Sequence, residues 1–187
     1  MHCRDYLLTA SRIAKDIDPL AVEAMANELY RVRGNDGRVF VIGMGGSLAN
    51  AIHFAADLRK LCNIDARCPS NISEFSARAN DEGLQTVFTG WMGEITEYDC
   101  VFVLSVGGGT TVVSTGITEA VRKAKEIGAS VVGIVGPHGG QTAACADCVV
   151  QIPAPADAVT PHTEAFQAVI WHALVSHPIL QMNKTKW

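Results

Sequence analysis

The residues of this chain best suited to chemistry lie in one segment, residues 38–57. There an apolar run ends in Gly43-Met44-Gly45-Gly46-Ser47 and a helical pattern begins at once. Glycines let a backbone approach a ligand closely, and the free N–H groups of a helix N-terminus favour an anion such as a phosphate. His53 and Asp57 follow, four residues apart, so they share one face of the predicted helix. This segment therefore predicts an anion cradle with a polar pair for chemistry beside it.

A second glycine cluster repeats this arrangement later in the chain. The apolar residues 100–104 lead into Ser105-Val106-Gly107-Gly108-Gly109-Thr110-Thr111, where three hydroxyl groups flank three glycines. In open parallel sheets, ligands bind beyond the carboxyl ends of the strands, so two such loops can converge on one site. A plain tight turn would also explain either loop alone. Together they predict a phosphate site built from the backbone and hydroxyl groups of both loops, with these candidate residues: Gly45, Gly46, Ser47, Ser105, Gly107, Gly108, Thr110 and Thr111.

Neither glycine cluster matches a nucleotide-binding motif. The third glycine of the dinucleotide fingerprint would fall on Leu48, and no lysine stands where a Walker loop requires one. We therefore expect no nucleotide cofactor.

The elements that must position these residues alternate between short apolar strands and helical patterns. Strands are predicted over 39–42, 100–105, 131–135 and 149–152, and helices over 5–33 with a break at Asp18-Pro19, 47–62, 84–92, 114–127 and 163–180. The polar residues 63–83 are predicted to hold a short strand and an exposed loop. Continuously apolar strands separated by helices indicate a doubly wound parallel α/β sheet. We interpret residues 1–187 as one domain, with an N-terminal helical extension (1–34) and an α/β unit ending in a helix (35–187).

Composition and charge exclude several classes of function. The chain has 187 residues, 48% of them hydrophobic, and a net charge of −4. An acidic chain of this kind lacks the basic surface that nucleic acids require. Because no apolar run reaches the ~20 residues of a membrane span, and the N-terminus lacks the pattern of a signal peptide, we expect neither a nucleic-acid nor a membrane partner. The expected location is cytoplasmic.

The six cysteines include one pair, Cys145 and Cys148, with the spacing of a redox or zinc motif. No second pair completes a zinc set, and without an export signal reduced thiols are the default. We interpret this pair as structural thiols.

The order of these motifs resembles a known family. Gly43-Met44-Gly45-Gly46-Ser47, then His53-Phe54-Ala55, then the loop 105–110 and a Gly-Gly turn after the third predicted strand are similar to the sugar isomerase (SIS) domain family, and within it to the phosphoheptose isomerase branch. The resemblance covers nearly the whole chain. It implies an SIS-type, flavodoxin-like fold, a phosphosugar substrate and a homotetramer.

The resemblance also implies roles for individual residues. The phosphate contacts of the family fall on Ser47, Ser105 and Thr110, whereas Val106 and Gly107 replace two hydroxyl residues of the family. Asn80 and Asp81 match a loop that lies near the sugar hydroxyls.

The family has a metal or acid–base set of a histidine, a glutamate, a glutamine and a second histidine. At the corresponding positions this chain has His53, Asp57, Glu164 and His172. These four are all competent zinc ligands, and Asp57, Glu164 and His172 are the candidate catalytic residues. On one straight helix, Glu164 and His172 would lie ~12 Å apart along the axis. Both can bind one ion only if the start of the helix is frayed at Glu164, or if the ligands come from different subunits.

Three functional hypotheses stay open at this point. The first is an aldose–ketose isomerase, with sedoheptulose 7-phosphate as the expected substrate and an enediol as the intermediate. The second is a module that binds a phosphosugar or a protein without turnover, in which the histidines are ordinary core residues and Asp57 belongs to a solvated helix face. The third is an isomerase of another phosphosugar, with Val106 and Gly107 reshaping the pocket.

Overall fold

A computed structural model describes residues 1–185, and its centre is a parallel sheet of five strands in the order β2-β1-β3-β4-β5. The strands are β1 (Arg38–Gly43), β2 (Asp65–Arg67), β3 (Cys100–Ser105), β4 (Ser130–Val135) and β5 (Cys148–Gln151). The helices are α1 (His2–Asp16), α2 (Pro19–Gly34), α3 (Gly46–Cys62), α4 (Ile72–Asp81), α5 (Val87–Met92), α6 (Thr115–Ile127), α7 (Gly140–Cys145) and α8 (Val159–Val175), with a 3₁₀ turn at Leu84–Thr86. This flavodoxin-like order confirms the predicted doubly wound α/β fold.

The sheet is apolar on both faces because successive side chains of a strand point to opposite sides. In β1, Val39 and Val41 join the core that α2, α3 and α8 cover, whereas Phe40 and Ile42 join the core beneath α5 and α6. The three central strands β1, β3 and β4 are buried nearly throughout, which explains why their sequences are continuous apolar runs.

The N-terminal helices begin and end where the sequence indicates. The Asp18 carboxylate accepts a hydrogen bond from the Leu20 N–H at 2.9 Å, and Pro19 stands at the first position of α2. This cap confirms the predicted break. Helix α1 also contacts the start of α8, since the Tyr6 ring stacks on the buried His162 ring with centroids 4.2 Å apart.

Three helices differ from their prediction. The polar stretch after α3 contains α4, which starts because the Asn71 side chain accepts from the N–H groups of Ser73 and Glu74. Its amphipathic pattern is so short and polar that the sequence alone does not distinguish this helix from a loop. The short α7 follows directly on the predicted Gly-Gly turn, and no helix or strand is predicted over its residues. Helix α8 begins at Val159 and ends at Val175, earlier at both ends than expected, because Pro161 fits within a first helical turn.

The amino ends of β1 and β3 are held together by a buried ion pair. Asp99, whose side chain is 2% exposed, accepts from the Arg38 backbone N–H at 2.8 Å and pairs with the Arg38 guanidinium at 2.6 Å. Burial alone would raise the pKa of the Asp99 carboxyl, but the hydrogen bonds from Arg38 and from Thr96 outweigh it and lower the pKa below the ordinary value. At the neighbouring strand, the Asp147 carboxylate binds the Lys125 ammonium and the Val131 N–H.

Among the helices of residues 1–185, none combines the length and apolar composition that a bilayer crossing demands.

Candidate functional site

The candidate site lies along the contact between α3 and α8, which we call the α3–α8 seam and define by Ser47, Asn50, His53 and Asp57 of α3 and Glu164, Gln167, Trp171 and His172 of α8. The fully buried Gln167 ties the two helices together. Its Nε2 donates to Ser47 Oγ at 3.1 Å, and its Oε1 accepts from Asn50 Nδ2 at 3.1 Å. The Asn50 amide also donates to the Glu164 carbonyl at 2.9 Å. This network fixes the register of the helices.

Two turns further along the seam, three of the predicted ligands come together. One donor atom from each of His53, Asp57 and His172 lies within 4.8 Å of the others, and His53 Nε2 stands 3.5 Å from Asp57 Oδ2. The His53 and His172 rings meet edge to face with centroids 5.7 Å apart. The i, i+4 spacing on α3 therefore produces the shared face that the sequence predicts.

The orientation of His172 leaves one nitrogen for a ligand. Its Nδ1 lies 2.7 Å from the Ala168 carbonyl oxygen one turn earlier, a contact in which Nδ1 carries the proton and donates. Nε2 is then the atom with the available lone pair. Such a second bond to a backbone carbonyl is typical of histidines that bind metals, because it fixes the tautomer and the ring plane.

These three side chains fit a divalent metal ion. Ligand atoms ~2.0–2.2 Å from a tetrahedral ion are separated by about 3.4 Å, close to the distance between His53 Nε2 and Asp57 Oδ2. Two imidazoles and one carboxylate are donors that suit zinc better than magnesium. Three protein ligands with one open position are the arrangement of a catalytic zinc site rather than a structural one.

Glu164, the fourth predicted ligand, is not brought into this cluster. It precedes His172 by two turns on the continuous helix α8, and a Cβ added to Gly46 would collide with both oxygens of its carboxylate. The carboxylate thus lies at the N-terminus of α3, whose dipole favours a negative charge. Within residues 1–185, Glu164 forms no ion pair. The helical rise that the sequence already indicates explains the separation.

The cluster opens into a cavity of about 880 Å³. Beyond the three cluster residues, its lining includes Lys60, Gln181 and Lys184. The wall after α8 is held in place because the N–H groups of Met182 and Asn183 both donate to the Leu61 carbonyl. The cavity is large enough for a sugar phosphate and presents both cationic and metal-binding groups.

The first glycine loop has the backbone that an anion cradle needs, but its serine is not open to solvent. Gly45 has φ +59, a conformation that favours glycine, and it precedes the first turn of α3. The first N–H groups of that turn have no acceptor within the helix. Ser47 is 1% exposed, with its hydroxyl bonded to Gln167. A contact between this hydroxyl and a phosphate stays a prediction, and in this arrangement the backbone is better placed than the side chain.

The second glycine loop packs closely on the segment after β4. Gly108 has φ +70, and its carbonyl accepts from both the N–H and the hydroxyl of Thr142, at 2.9 and 2.7 Å. A Cβ at Gly108 would collide with the Gly139 carbonyl, so only glycine fits there. The same contact leaves the exposed Gly107, one residue earlier, on the outer side of the loop.

The hydroxyl groups of the second loop are used within the loop itself. Ser105 Oγ accepts from the Gly108 N–H at 3.0 Å, and Thr110 Oγ1 accepts from the Val113 N–H at 2.8 Å. Ser105 is 4% exposed, whereas Thr110 lies at the surface. The phosphate role of these residues stays a prediction.

Asn80 and Asp81 lie elsewhere than expected. They occupy the last turn of α4 rather than a loop, both are exposed, and Asn80 Nδ2 donates to Asp81 Oδ1 at 2.7 Å. Neither lines the cavity of the His53 cluster. A role near the sugar hydroxyls is therefore not supported by their position within one chain.

Cys145 and Cys148 are free thiols, Cys145 at the end of α7 and Cys148 at the start of β5. Burial, with the nearby carboxylates of Glu28 and Asp147, raises the pKa of Cys148 to about 12. A thiol so rarely ionised is a poor nucleophile, which supports the structural interpretation of this pair.

Sequence reasoning missed several residues of the seam. Trp171 precedes a predicted ligand directly, and Gln167 follows Glu164 by three residues, so helical spacing could have indicated both. Lys60 follows Asp57 by three residues, so helical spacing could also have placed it on the same face of α3. Gln181 and Lys184 reach the cavity through the fold of the chain after α8, which leaves no local signal.

Comparisons with known proteins identify the family of this chain. The sequence profile of the SIS domain family matches residues 5–136. The lincomycin biosynthesis protein LmbN of Streptomyces lincolnensis is 35% identical over 186 residues, covering 93% of this chain and 68% of LmbN. The phosphoheptose isomerase of Mycobacterium tuberculosis is 33% identical over 165 residues, covering 84% of this chain and 80% of that protein. The solved structure of phosphoheptose isomerase from Neisseria gonorrhoeae superposes with a TM-score of 0.79 at 26% identity, covering 93% of this chain and 92% of that one. The chain therefore belongs to the SIS domain family and is a relative of the phosphoheptose isomerases.

Proposed function

We propose that this protein is an aldose–ketose isomerase of a phosphorylated sugar, with sedoheptulose 7-phosphate as the first candidate substrate and D-glycero-D-manno-heptose 7-phosphate as its product. The observation that carries the proposal is the cluster of His53, Asp57 and His172 at the mouth of a cavity of about 880 Å³. Relatives that bear the name phosphoheptose isomerase support the reaction class.

The reaction consists of two successive tautomerisations, each with one proton removed and one added, and no net oxidation. A base removes a proton from C1 of the ketose while the carbonyl oxygen at C2 gains one, which gives the enediol. The proton then returns to C2, and the hydroxyl on C1 loses its proton to become the aldehyde. Asp57 is the base where no metal is bound, and Glu164 is the alternative base, which takes this role when Asp57 is a metal ligand. His172 is either the acid at the oxygen or a ligand of the metal.

We propose zinc as the metal, held by His53, Asp57 and His172. When bound, it supplies a Lewis acid that stabilises negative charge on the substrate oxygens. In this proposal, the backbone of the two glycine loops and the hydroxyls of Ser47, Ser105 and Thr110 hold the phosphate. None of these residues lines the cavity beside the His53 cluster, so the sugar has to extend from the loops along α3 toward His53. We also propose a cytoplasmic location.

Two observations bear on the identity of the sugar. The relative LmbN is named for lincomycin biosynthesis and not as a phosphoheptose isomerase. Val106 and Gly107 stand where the phosphoheptose isomerase pattern has hydroxyl residues, so an isomerase of another phosphosugar is the second candidate. SIS domains also occur in proteins that are not enzymes. A module that binds a phosphosugar without turnover is therefore the third candidate.

Proton exchange tests these candidates together. The protein is incubated in D₂O with a panel of ketose phosphates of five to eight carbons, and deuterium incorporation next to the carbonyl is followed by NMR. We expect exchange with the seven-carbon ketose and conversion to its aldose. Exchange with another member alone selects the second candidate. Calorimetric binding without any exchange contradicts catalysis and selects the binding module.

Metal analysis tests the zinc proposal separately. Protein purified without chelator should contain about one metal ion per chain, and His172→Ala should lose it without a change in the circular dichroism spectrum. Full isomerase activity in protein shown to be metal-free would contradict the metal role and leave Asp57 and Glu164 as a bare acid–base pair.

We also propose that the protein is a homotetramer. Four large apolar side chains on α1, α2 and α8 lie at the surface and support burial between subunits: Leu7 (67% exposed), Leu8 (49%), Leu20 (74%) and Val169 (56%). Sedimentation velocity should give a mass near four chains, and a ~20 kDa monomer at micromolar concentration would contradict it.

A further inference from the structure

Trp171 lies beneath the cluster and contacts both of its imidazoles. Its ring stacks on His172 with centroids 3.5 Å apart and planes at 26°, and meets His53 at 4.6 Å and 62°. Trp171 is 1% exposed, whereas the side chain of His53 is 60% exposed. One buried ring thus forms the floor on which two surface rings rest.

Packing alone does not explain a tryptophan at this position. Its Nε1–H is buried without a hydrogen-bond partner in the described part of the chain, although buried indoles usually find one. Phe54 already packs against the same ring at 5.8 Å. An aromatic ring without a polar group would join this core without leaving a donor unsatisfied. The distinguishing property of the indole here is the area that it offers to the imidazoles.

We propose that Trp171 is a positioning residue that holds the imidazoles of His53 and His172 with their Nε2 atoms turned toward Asp57. An exposed histidine otherwise samples several rotamers, and each must be frozen when a ligand binds. The Ala168 carbonyl fixes one nitrogen of His172, and the indole fixes the ring plane. The electron-rich face of an indole also attracts a ring that becomes more positive when it binds a cation. This inference rests on the proposed metal site and deepens it.

The test measures metal binding rather than turnover. Metal-free protein is titrated with cobalt(II), whose visible absorption reports ligand number and geometry. Trp171→Leu should weaken cobalt binding at least tenfold and reduce the intensity of the visible bands, because water replaces an imidazole. Trp171→Phe, which keeps a smaller ring, should restore part of both. Trp91→Phe is the matched control, since Trp91 packs against Phe40 on the other face of the sheet, and it should match the unsubstituted protein.

The outcomes separate a positioning role from a structural one. The melting temperature of each metal-free variant shows whether the core tolerates the change. A folded Trp171→Leu protein with unchanged cobalt affinity and spectrum overturns the proposal. If that variant does not fold, Trp171→Phe decides, because an unchanged affinity and spectrum there overturns it as well.

Failure of the metal site itself gives a different result. If the unsubstituted protein binds no cobalt, the zinc proposal is wrong, and the positioning role is then read from NMR contacts between the ring protons of His53 and His172. Those contacts should weaken in Trp171→Leu or Trp171→Phe but not in Trp91→Phe. Equal contacts in all of these proteins overturn the inference.

Discussion

The amino edge of the sheet and the α3–α8 seam use the same kinds of side chain in opposite ways. At the amino edge, the Asp99 carboxylate is buried and bonded to Arg38 and Thr96, and Asp147 binds Lys125. In the seam, the ion-pair partner of Asp57 is the imidazole of His53, and Glu164 forms no ion pair within residues 1–185. Carboxylates with strong cationic partners stabilise a fold. Those without are available to a substrate or a metal.

This difference indicates that the amino edge of the sheet serves stability, whereas the α3–α8 seam serves function. Strands β1 and β3 enter the sheet at an edge closed by an ion pair and leave it at the two glycine loops. Substitutions at the two regions should therefore have different consequences, one on the free energy of unfolding and the other on turnover.

The largest expected effect is on catalysis in the seam. Asp57→Asn should lower turnover by about 10²–10⁴-fold, because the base loses its charge, while the melting temperature stays within a few degrees. Glu164→Gln should have a smaller effect if Asp57 is the base. Asp65→Asn is the control, since that exposed carboxylate pairs with Arg67 on β2. Turnover is measured in a steady-state isomerase assay. A greater loss of turnover in Glu164→Gln than in Asp57→Asn would assign the base to Glu164.

The next effect concerns stability at the amino edge. Asp99→Asn should lower the free energy of unfolding by about 1–3 kcal/mol, because it removes the charge of a buried carboxylate that accepts hydrogen bonds from Arg38 and Thr96. Turnover per folded molecule should not change. Urea unfolding with a parallel assay measures both quantities. A stable variant with impaired turnover would mean that this edge, too, serves the reaction.

Acid should reveal the same ion pair. Since the folded pKa of Asp99 lies below its ordinary value of 3.8, its contribution to stability is present above that value and is lost as pH falls through the folded pKa. The unfolding free energy of the unsubstituted protein should therefore fall below about pH 4, and that of Asp99→Asn should fall less steeply. Parallel acid profiles for the two proteins would show that Asp99 does not contribute.

The smallest expected effect is on phosphosugar affinity at the glycine loops. Ser47→Ala with Thr110→Ala should weaken phosphosugar binding tenfold or more, since each removes a hydrogen bond to the phosphate whose free energy is partly offset by the internal hydrogen bond that the hydroxyl gives up. Both hydroxyls are bonded within the protein, so the loss requires that they turn toward the phosphate. Calorimetry measures the affinity, with Thr89→Ala as a control. An unchanged affinity would assign the phosphate to backbone N–H groups alone.

Local patterns predicted the fold better than the site. Strand periodicity, the Asp18 cap and the glycine loops predicted the sheet and the helices around it, because each signal is local. The pair His53 and Asp57 was also readable, since helical spacing fixes their shared face. Joining them with His172 on α8 came from the family resemblance. The separation of Glu164, the helix containing Asn80 and the buried state of Ser47 depend on contacts between distant segments, which no spacing rule contains.

The seam also determines the order in which the molecule can assemble. The hydrogen bond between Gln167 and Ser47 joins residues 120 positions apart, and Arg33 reaches the Leu180 carbonyl across 147. Contacts of such separation form late, because closing a long loop costs entropy before the contact returns any free energy. During synthesis on the ribosome, the apolar face of α3 emerges long before α8 can cover it. The nascent chain thus carries an uncovered apolar surface, and the groups proposed for catalysis meet only when the last helix docks.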